Sequence, residues 1–212
     1  MKILLLGING KMGSKIYQSL KDRGFTVEGF DLLSNKDVTT ITDVNLVNPK
    51  NYDWLVDFSK ENISIILTTL FLKNGVNVIS GTTGIKDDKL EELRSLAKEN
   101  NAKYIHRVNF SSCFCTYEKL VAMASSFLPN KIIIESHDLS KYDKPSGSAL
   151  HLAKTIGLDN NDIISLRINE PEPCHQVIIS NEKERIVLIH QVLDKKAFED
   201  GFMEIFMKEV GV

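Results

Sequence analysis

The stretch KILLLGINGKMGSKI at residues 2–16 restricts the fold more than any other part of the chain. A short, continuous apolar run ending on glycine suits a strand buried on both faces. Gly7, Gly10 and Gly13 follow at GxxGxxG spacing, and Met12, Ile16 and Leu20 then recur at helical spacing up to a stop at Gly24. Glycines let a backbone turn sharply and approach a pyrophosphate, while the helix N-terminus offers free N–H groups and its positive dipole end. Lys11 adds a point charge there. Taken alone, the same spacing also describes a plain tight turn.

The pattern continues as an alternation. FTVEGFD, WLVDFS, VNVISGTTG and AKYIHRVNF read as strands, and ENISIILTTLFLKNG and DDKLEELRSLAKENN as helices between them. Such alternation implies a parallel sheet covered by helices. After about residue 109 it stops. FCTYEKLVAMASSFL reads as a long helix, KIIIESHD as a strand and SGSALHLAKTIG as a helix. ISLRINE, HQVIISN and ERIVLIHQVL then follow as strands with no helix between them, which implies a second domain with a mixed or antiparallel sheet. KKAFEDGFMEIFMKEV closes the chain as a helix.

Composition excludes several classes. With 212 residues the chain suffices for one large or two small domains, and 42% hydrophobic with 25% charged residues is ordinary for a globular protein. A net charge of −2 gives no sign of a nucleic-acid or membrane partner. Cys113, Cys115 and Cys174 form no CxxC pair and no disulfide framework, which fits a reducing cytoplasm. Cys115, Cys174 and His175 lack zinc-site spacing, so no metal is expected. ILLL is too short for a signal-peptide core, and no apolar run is long enough to span a bilayer.

Three further features bear on function. Asp31 follows the second strand, where an acid binds ribose hydroxyls and disfavours a 2′-phosphate; Lys36 is the nearest following cation. NADH is therefore the favoured cofactor, with NADPH tolerated. Gly81, Thr82 and Thr83 follow the third main strand at the carboxyl edge where open α/β sheets bind ligands, beside a nicotinamide ring. ESHDLSKYDKPSGSAL at 135–150 places His137 at a strand end, Lys141 in the following loop, and Ser146, Gly147 and Ser148 at a helix start. Histidine can deliver a proton near neutral pH, and lysine can hold a carboxylate or support proton transfer. Open N–H groups and hydroxyls at the helix start bind an anionic oxygen. This set suits a small acidic substrate; without context it equally describes surface residues beside an ordinary N-cap.

GINGKMG, VDFS, SGTTG, VNFS and ESHDLSKYDKPSGSAL, in this order, resemble the dihydrodipicolinate reductase family. RINEPEPCH, IVLIH and FEDGF extend the resemblance over essentially the whole chain. The resemblance implies an α/β fold: a Rossmann-like parallel-sheet domain of residues 1–108 and 195–212, plus an α+β substrate and oligomerisation domain with a mixed sheet at 109–194. It implies a homotetramer acting on a small dicarboxylate. It implies conjugate reduction, with hydride passing from a nicotinamide to a cyclic unsaturated imine, His137 as general acid and Lys141 as second catalytic group. Gly147 and Ser148 fall where the family binds a substrate carboxylate. Gly7, Ile8, Asn9, Gly10, Lys11, Met12, Asp31, Gly81, Thr82, Thr83, Arg107, Val108, Asn109 and Phe110 fall where it binds the dinucleotide. Phe58 is core or borders the cofactor.

The chain departs from the family pattern at several positions. Asp138 stands where a second, substrate-facing histidine is usual, so it joins the substrate-side residues; its carboxylate should point away or pair with Lys141 or Lys144. Lys144 and Ser148 replace alanine and threonine, Cys113 a glycine, Arg107 a small residue and Lys11 an arginine. Arg167 and His175 are expected to be structural, and His190 to be a core or interface histidine. Two other functions remain open from sequence: a non-catalytic dinucleotide sensor, and an amino-acid dehydrogenase such as one acting on aspartate.

Overall fold

A computed structural model of the chain describes residues 1–169 and 172–211. Glu170 and Pro171, within the RINEPEPCH run, lie outside the described residues. The elements run β1 (Lys2–Leu6), α1 (Lys11–Asp22), β2 (Thr26–Phe30), β3 (Thr40–Ile41), β4 (Trp54–Asp57), α2 (Glu61–Lys73), β5 (Asn77–Ser80), α3 (Asp87–Glu99) and β6 (Tyr104–His106). They continue with α4 (Ser112–Ser125), β7 (Asn130–Asp138), α5 (Gly147–Ile156), β8 (Ile163–Ile168), β9 (Cys174–Ser180), β10 (Arg185–Gln191) and α6 (Lys196–Val210). Two compact units result: Met1–Arg107 with Met203–Val212, and Val108–Phe202. The division falls within α6, not at its start.

In the first unit, six parallel strands take the order β3-β2-β1-β4-β5-β6. Ile3, Leu4, Leu5 and Leu6 are all fully buried, as a strand covered on both faces requires. On one face Leu4, Leu6 and Leu55 pack with Leu67, Phe71 and Leu72 of α2 and Leu93 of α3. Elsewhere in this unit Phe206 of α6 meets Trp54 and Phe25 edge to face, with ring centroids 5.4 Å and 5.6 Å apart. Strand order reverses between β1 and β4, so the loops after these strands flank a topological switch point. The two-residue β3 carries no periodicity and was not foreseen from sequence.

In the second unit, the sheet order is β10-β9-β7-β8, with β7 and β8 parallel and the other pairs antiparallel. The parallel pair arises because α5 lies between β7 and β8 in sequence and returns the chain in the same direction. One sheet face buries Ile133, Val177 and Ile179 against Phe114, Tyr117 and Val121 of α4 and Leu152 and Ile156 of α5. The other face carries Ile164, Leu166, Ile168, Val187 and Ile189, which stay exposed within the chain.

Candidate active site

The glycine loop is built by close backbone packing. Gly7 has φ +76°, and a Cβ there would lie 2.3 Å from the Phe58 carbonyl oxygen. A Cβ on Gly13 would lie 2.0 Å from the Gly7 carbonyl oxygen. Both positions therefore demand glycine, and α1 can start directly over the loop. Gly10 is the N-cap, and no side chain caps the helix or places an acid in its first turn. The backbone N–H groups of this turn therefore suit the phosphates of a dinucleotide. Lys11 is exposed beside them and Met12 half-buried, whereas the Ile8 side chain is buried and would touch a Cβ on Gly29. Ile8 can thus offer only its backbone.

Asp31 closes the loop from the side. Its Oδ2 accepts the Asn9 N–H at 3.1 Å and its Oδ1 accepts the Leu32 N–H at 2.8 Å. The Asn9 side chain donates to the Leu33 carbonyl oxygen at 2.9 Å and accepts from Asn35 at 2.7 Å. A carboxylate thus stands just after β2, with one oxygen on the glycine loop and the other on the backbone of its own loop.

The VDFS and SGTTG segments are joined by a buried acid that sequence reasoning passed over. Asp57 is fully buried. Its Oδ1 accepts the Ser59 N–H at 3.0 Å and the Ser59 hydroxyl at 2.5 Å; its Oδ2 accepts the Ser64 hydroxyl at 2.5 Å and the Ser80 hydroxyl at 2.7 Å. Four hydrogen-bond donors hold this charge in place. Thr82 is drawn into the same network. Its Oγ1 accepts the Ser59 N–H at 3.1 Å, its N–H donates to Ser80 Oγ at 3.2 Å, and its carbonyl oxygen lies 2.9 Å from His106 Nε2. The Thr82 hydroxyl is therefore committed inside the unit, while Gly81 is half-buried and Thr83 exposed. Phe58 is half-buried and Arg107 exposed.

In the second unit, Val108 is half-buried, and Phe110 is a core residue whose ring packs on Phe202 at 5.5 Å. A Cβ on Gly201 would lie 1.9 Å from the Phe110 carbonyl oxygen, which accounts for glycine in FEDGF. Asn109 accepts the Ser111 N–H at 2.9 Å through Oδ1, and its Nδ2 donates to Ser148 Oγ at 3.1 Å. It thus orients the Ser148 hydroxyl at the start of α5.

The proton-bearing cluster sits on β7 and its neighbours. Period two along β7 puts Ile133, Glu135 and His137 on the inner face. Glu135 is fully buried; its Oε2 bonds His137 Nδ1, and its Oε1 accepts from Arg167 Nη1 at 2.9 Å and from the Ser146 N–H at 3.3 Å. Burial alone would raise the Glu135 carboxyl, but the His137 imidazole and the Arg167 guanidinium outweigh it and hold it at about 2. Arg167 also donates through Nε to the Lys141 carbonyl oxygen at 3.0 Å and through Nη2 to that of Asp143. Lys141 is one-third exposed and pairs with Asp143 at 2.8 Å. Asp138 accepts the Ser140 N–H at 2.9 Å through Oδ1, so one of its oxygens shapes the turn leading to Lys141.

Ser146 caps α5, accepting the Ala149 N–H at 3.3 Å. It is 1% exposed, and its hydroxyl also lies 3.4 Å from His175 Nε2, so its role is to build the helix start. Gly147 and Ser148 are half-buried and offer their N–H groups in the first turn. His175 stands edge to face with His137 at 5.3 Å and faces His190 at 6.1 Å. Burial, reinforced by His137 and His190, drives His175 down to about 3, so it is neutral at working pH. Burial lowers His190 as well. Glu135 was the missed residue here; the alternation that buries Ile133 and His137 was the signal that could have found it. Among the described residues no group of three or more His, Cys, Asp or Glu side chains could hold a metal, and no helix is long and apolar enough to cross a membrane.

Family models described as the N-terminus and the C-terminus of dihydrodipicolinate reductase match residues 1–110 and 115–210. The chain is 29% identical to the 4-hydroxy-tetrahydrodipicolinate reductase of Chlamydia trachomatis serovar A, over 98% of this chain and 85% of that one. It is 27% identical to the enzyme of the same name from Streptococcus gordonii, over 99% and 93% of the two chains. In fold it is similar to a dipicolinate-bound dihydrodipicolinate reductase from Paenisporosarcina sp. TG-14, with a TM-score of 0.74, 22% identity and coverage of 98% and 94%.

Proposed function

Because the chain belongs to the dihydrodipicolinate reductase family, we propose that it reduces 4-hydroxy-tetrahydrodipicolinate to tetrahydrodipicolinate with NAD(P)H, a step of diaminopimelate and lysine biosynthesis. The observation that carries this is the Glu135 carboxylate, which bonds His137 with one oxygen and the Ser146 N–H at the start of α5 with the other. One buried group thereby sets a proton carrier beside an anion-binding helix end. A bound nicotinamide would supply the hydride for this reduction. His137 supplies the proton that quenches the charge arising on the ring, and Lys141 assists loss of the 4-hydroxyl group. The N–H groups of Gly147 and Ser148, with the Ser148 hydroxyl, hold a substrate carboxylate. Fixing substrate and proton donor together removes up to about 7–11 kcal/mol of entropic barrier in favourable cases.

The first unit holds the dinucleotide through the loop Gly7–Met12, Asp31 and the segment Gly81–Thr83. Asp31 supports a preference for NADH, because its carboxylate accepts ribose hydroxyls and repels a 2′-phosphate. The outer face of the mixed sheet supports a homotetramer: Ile164, Leu166, Ile168, Val187 and Ile189 form an exposed apolar surface of the kind that symmetric subunits cover. Three cysteines held as thiols accord with a cytoplasmic setting.

The test is an assay of NADH absorbance with freshly generated substrate. Oxidation that disappears in His137→Ala and Lys141→Ala, with NADH binding retained, is the expected result. NADH binding by the native chain without any oxidation would point to the sensor instead.

A further inference from the structure

We infer that Glu135 and Arg167 are positioning residues for proton transfer: Glu135 keeps a proton on His137 Nδ1 so that Nε2 faces the reaction, and Arg167 fixes both that carboxylate and the loop bearing Lys141. This rests on the proton-donor role proposed for His137.

The proton bookkeeping leaves one arrangement. Glu135 is held ionised, with its carboxyl at about 2, so its oxygens only accept. Its Oε1 already receives the Arg167 guanidinium and the Ser146 N–H, which leaves Oε2 for the imidazole. The ring nitrogen facing that oxygen must carry hydrogen, so Nδ1 is the N–H and Nε2 the exchanging atom. Nε2 of His137 has no hydrogen-bond partner among the described residues. His175 stands against the ring edge to face at 5.3 Å, which restrains it further. The carboxylate also offers a fixed counter-charge to the imidazolium form.

Arg167 ties this pair to the second catalytic group. Its guanidinium donates to Glu135 Oε1 at 2.9 Å, to the carbonyl oxygens of Lys141 at 3.0 Å and Leu166 at 2.7 Å, and to that of Asp143. The planar fork therefore sets the height of the 141–143 loop relative to β7. A lysine could satisfy the charge but not these four directions at once.

The test combines ¹⁵N-histidine spectra with kinetics on Glu135→Gln, Glu135→Ala, Arg167→Lys and His137→Ala, with NADH binding as a check that each variant folds. In the native protein the neutral His137 ring is expected as the Nδ1–H tautomer. In Glu135→Ala it should revert to Nε2–H, with kcat falling about 10²-fold while KM for the dicarboxylate moves less than about threefold. Glu135→Gln, nearly isosteric, should fold and lose about tenfold in kcat through the missing charge alone. A native Nε2–H tautomer, or native kcat in both Glu135 variants beside an inactive His137→Ala, would overturn the proposal. A fully active His137→Ala removes its premise and overturns the proton-donor role itself.

Discussion

Arg167 and Glu135 form an ion pair at 2.9 Å in which the carboxylate side chain is fully buried and the guanidinium side chain only 11% exposed. Such a pair is costly to break from one side, because the remaining charge is left without water or partner. Arg167→Ala should therefore cost about 3–5 kcal/mol of folding stability, read by urea unfolding near neutral pH. A loss below about 1 kcal/mol would mean that water reaches Glu135 freely.

The acid sensitivity of the fold should follow His175. Its folded value of about 3 lies below the ordinary value of 6.5, so between the two the unfolded chain binds more protons. Its contribution is fully present above the unfolded value and is lost as pH falls through the window down to the folded one. His137, His190, Glu135 and Lys141 all act on this ring, the two histidines and Lys141 in the same direction as burial and Glu135 against it. Removing the titration in His175→Leu should shrink the stability difference between about pH 7 and about pH 5 by roughly 2 kcal/mol. Unfolding curves at the two pH values check this.

Glu135 adds a second window. Its folded value of about 2 lies below the ordinary 4.5, so its contribution is present above the latter and lost as pH falls towards the former. Glu135→Gln should flatten the stability profile in that lower range and, because the carboxylate holds the His175 value up, extend the lower end of the His175 window further down.

Asp57 should matter to the first unit out of proportion to its distance from any surface. Asp57→Ala leaves the Ser59, Ser64 and Ser80 hydroxyls without their shared acceptor and should destabilise by about 2–4 kcal/mol. It also releases Thr82, so NADH affinity should fall in the same variant, measured by fluorescence titration.

Cofactor choice should turn on Asp31. Asp31→Ser should weaken NADH binding and narrow the gap between NADH and NADPH by about tenfold, as ratios of kcat/KM report. A native preference for NADPH would contradict the role proposed for this carboxylate.

Association should depend on the uncovered sheet face. Ile189 is 60% exposed on β10 and Leu166 42% exposed on β8. Ile189→Glu with Leu166→Glu should lower the sedimentation mass without changing the circular dichroism of the fold.

Much of this protein is determined by local sequence. The apolar run before Gly7 demanded a buried strand, Gly7 and Gly13 a tight turn, and the alternation to residue 106 a parallel sheet. Period two and period 3.6 are properties of neighbouring residues, so they survive without knowledge of the fold. His137 and the Ser146–Ser148 helix start were visible for the same reason, since one short segment contains them. Tertiary structure alone decided the rest. Asp57 draws on Ser59, Ser64 and Ser80 from a loop, a helix and a strand, and Glu135 reaches Arg167 across 32 positions of sequence. A buried carboxylate must find donors wherever the packed chain supplies them, and no local spacing records which ones those are.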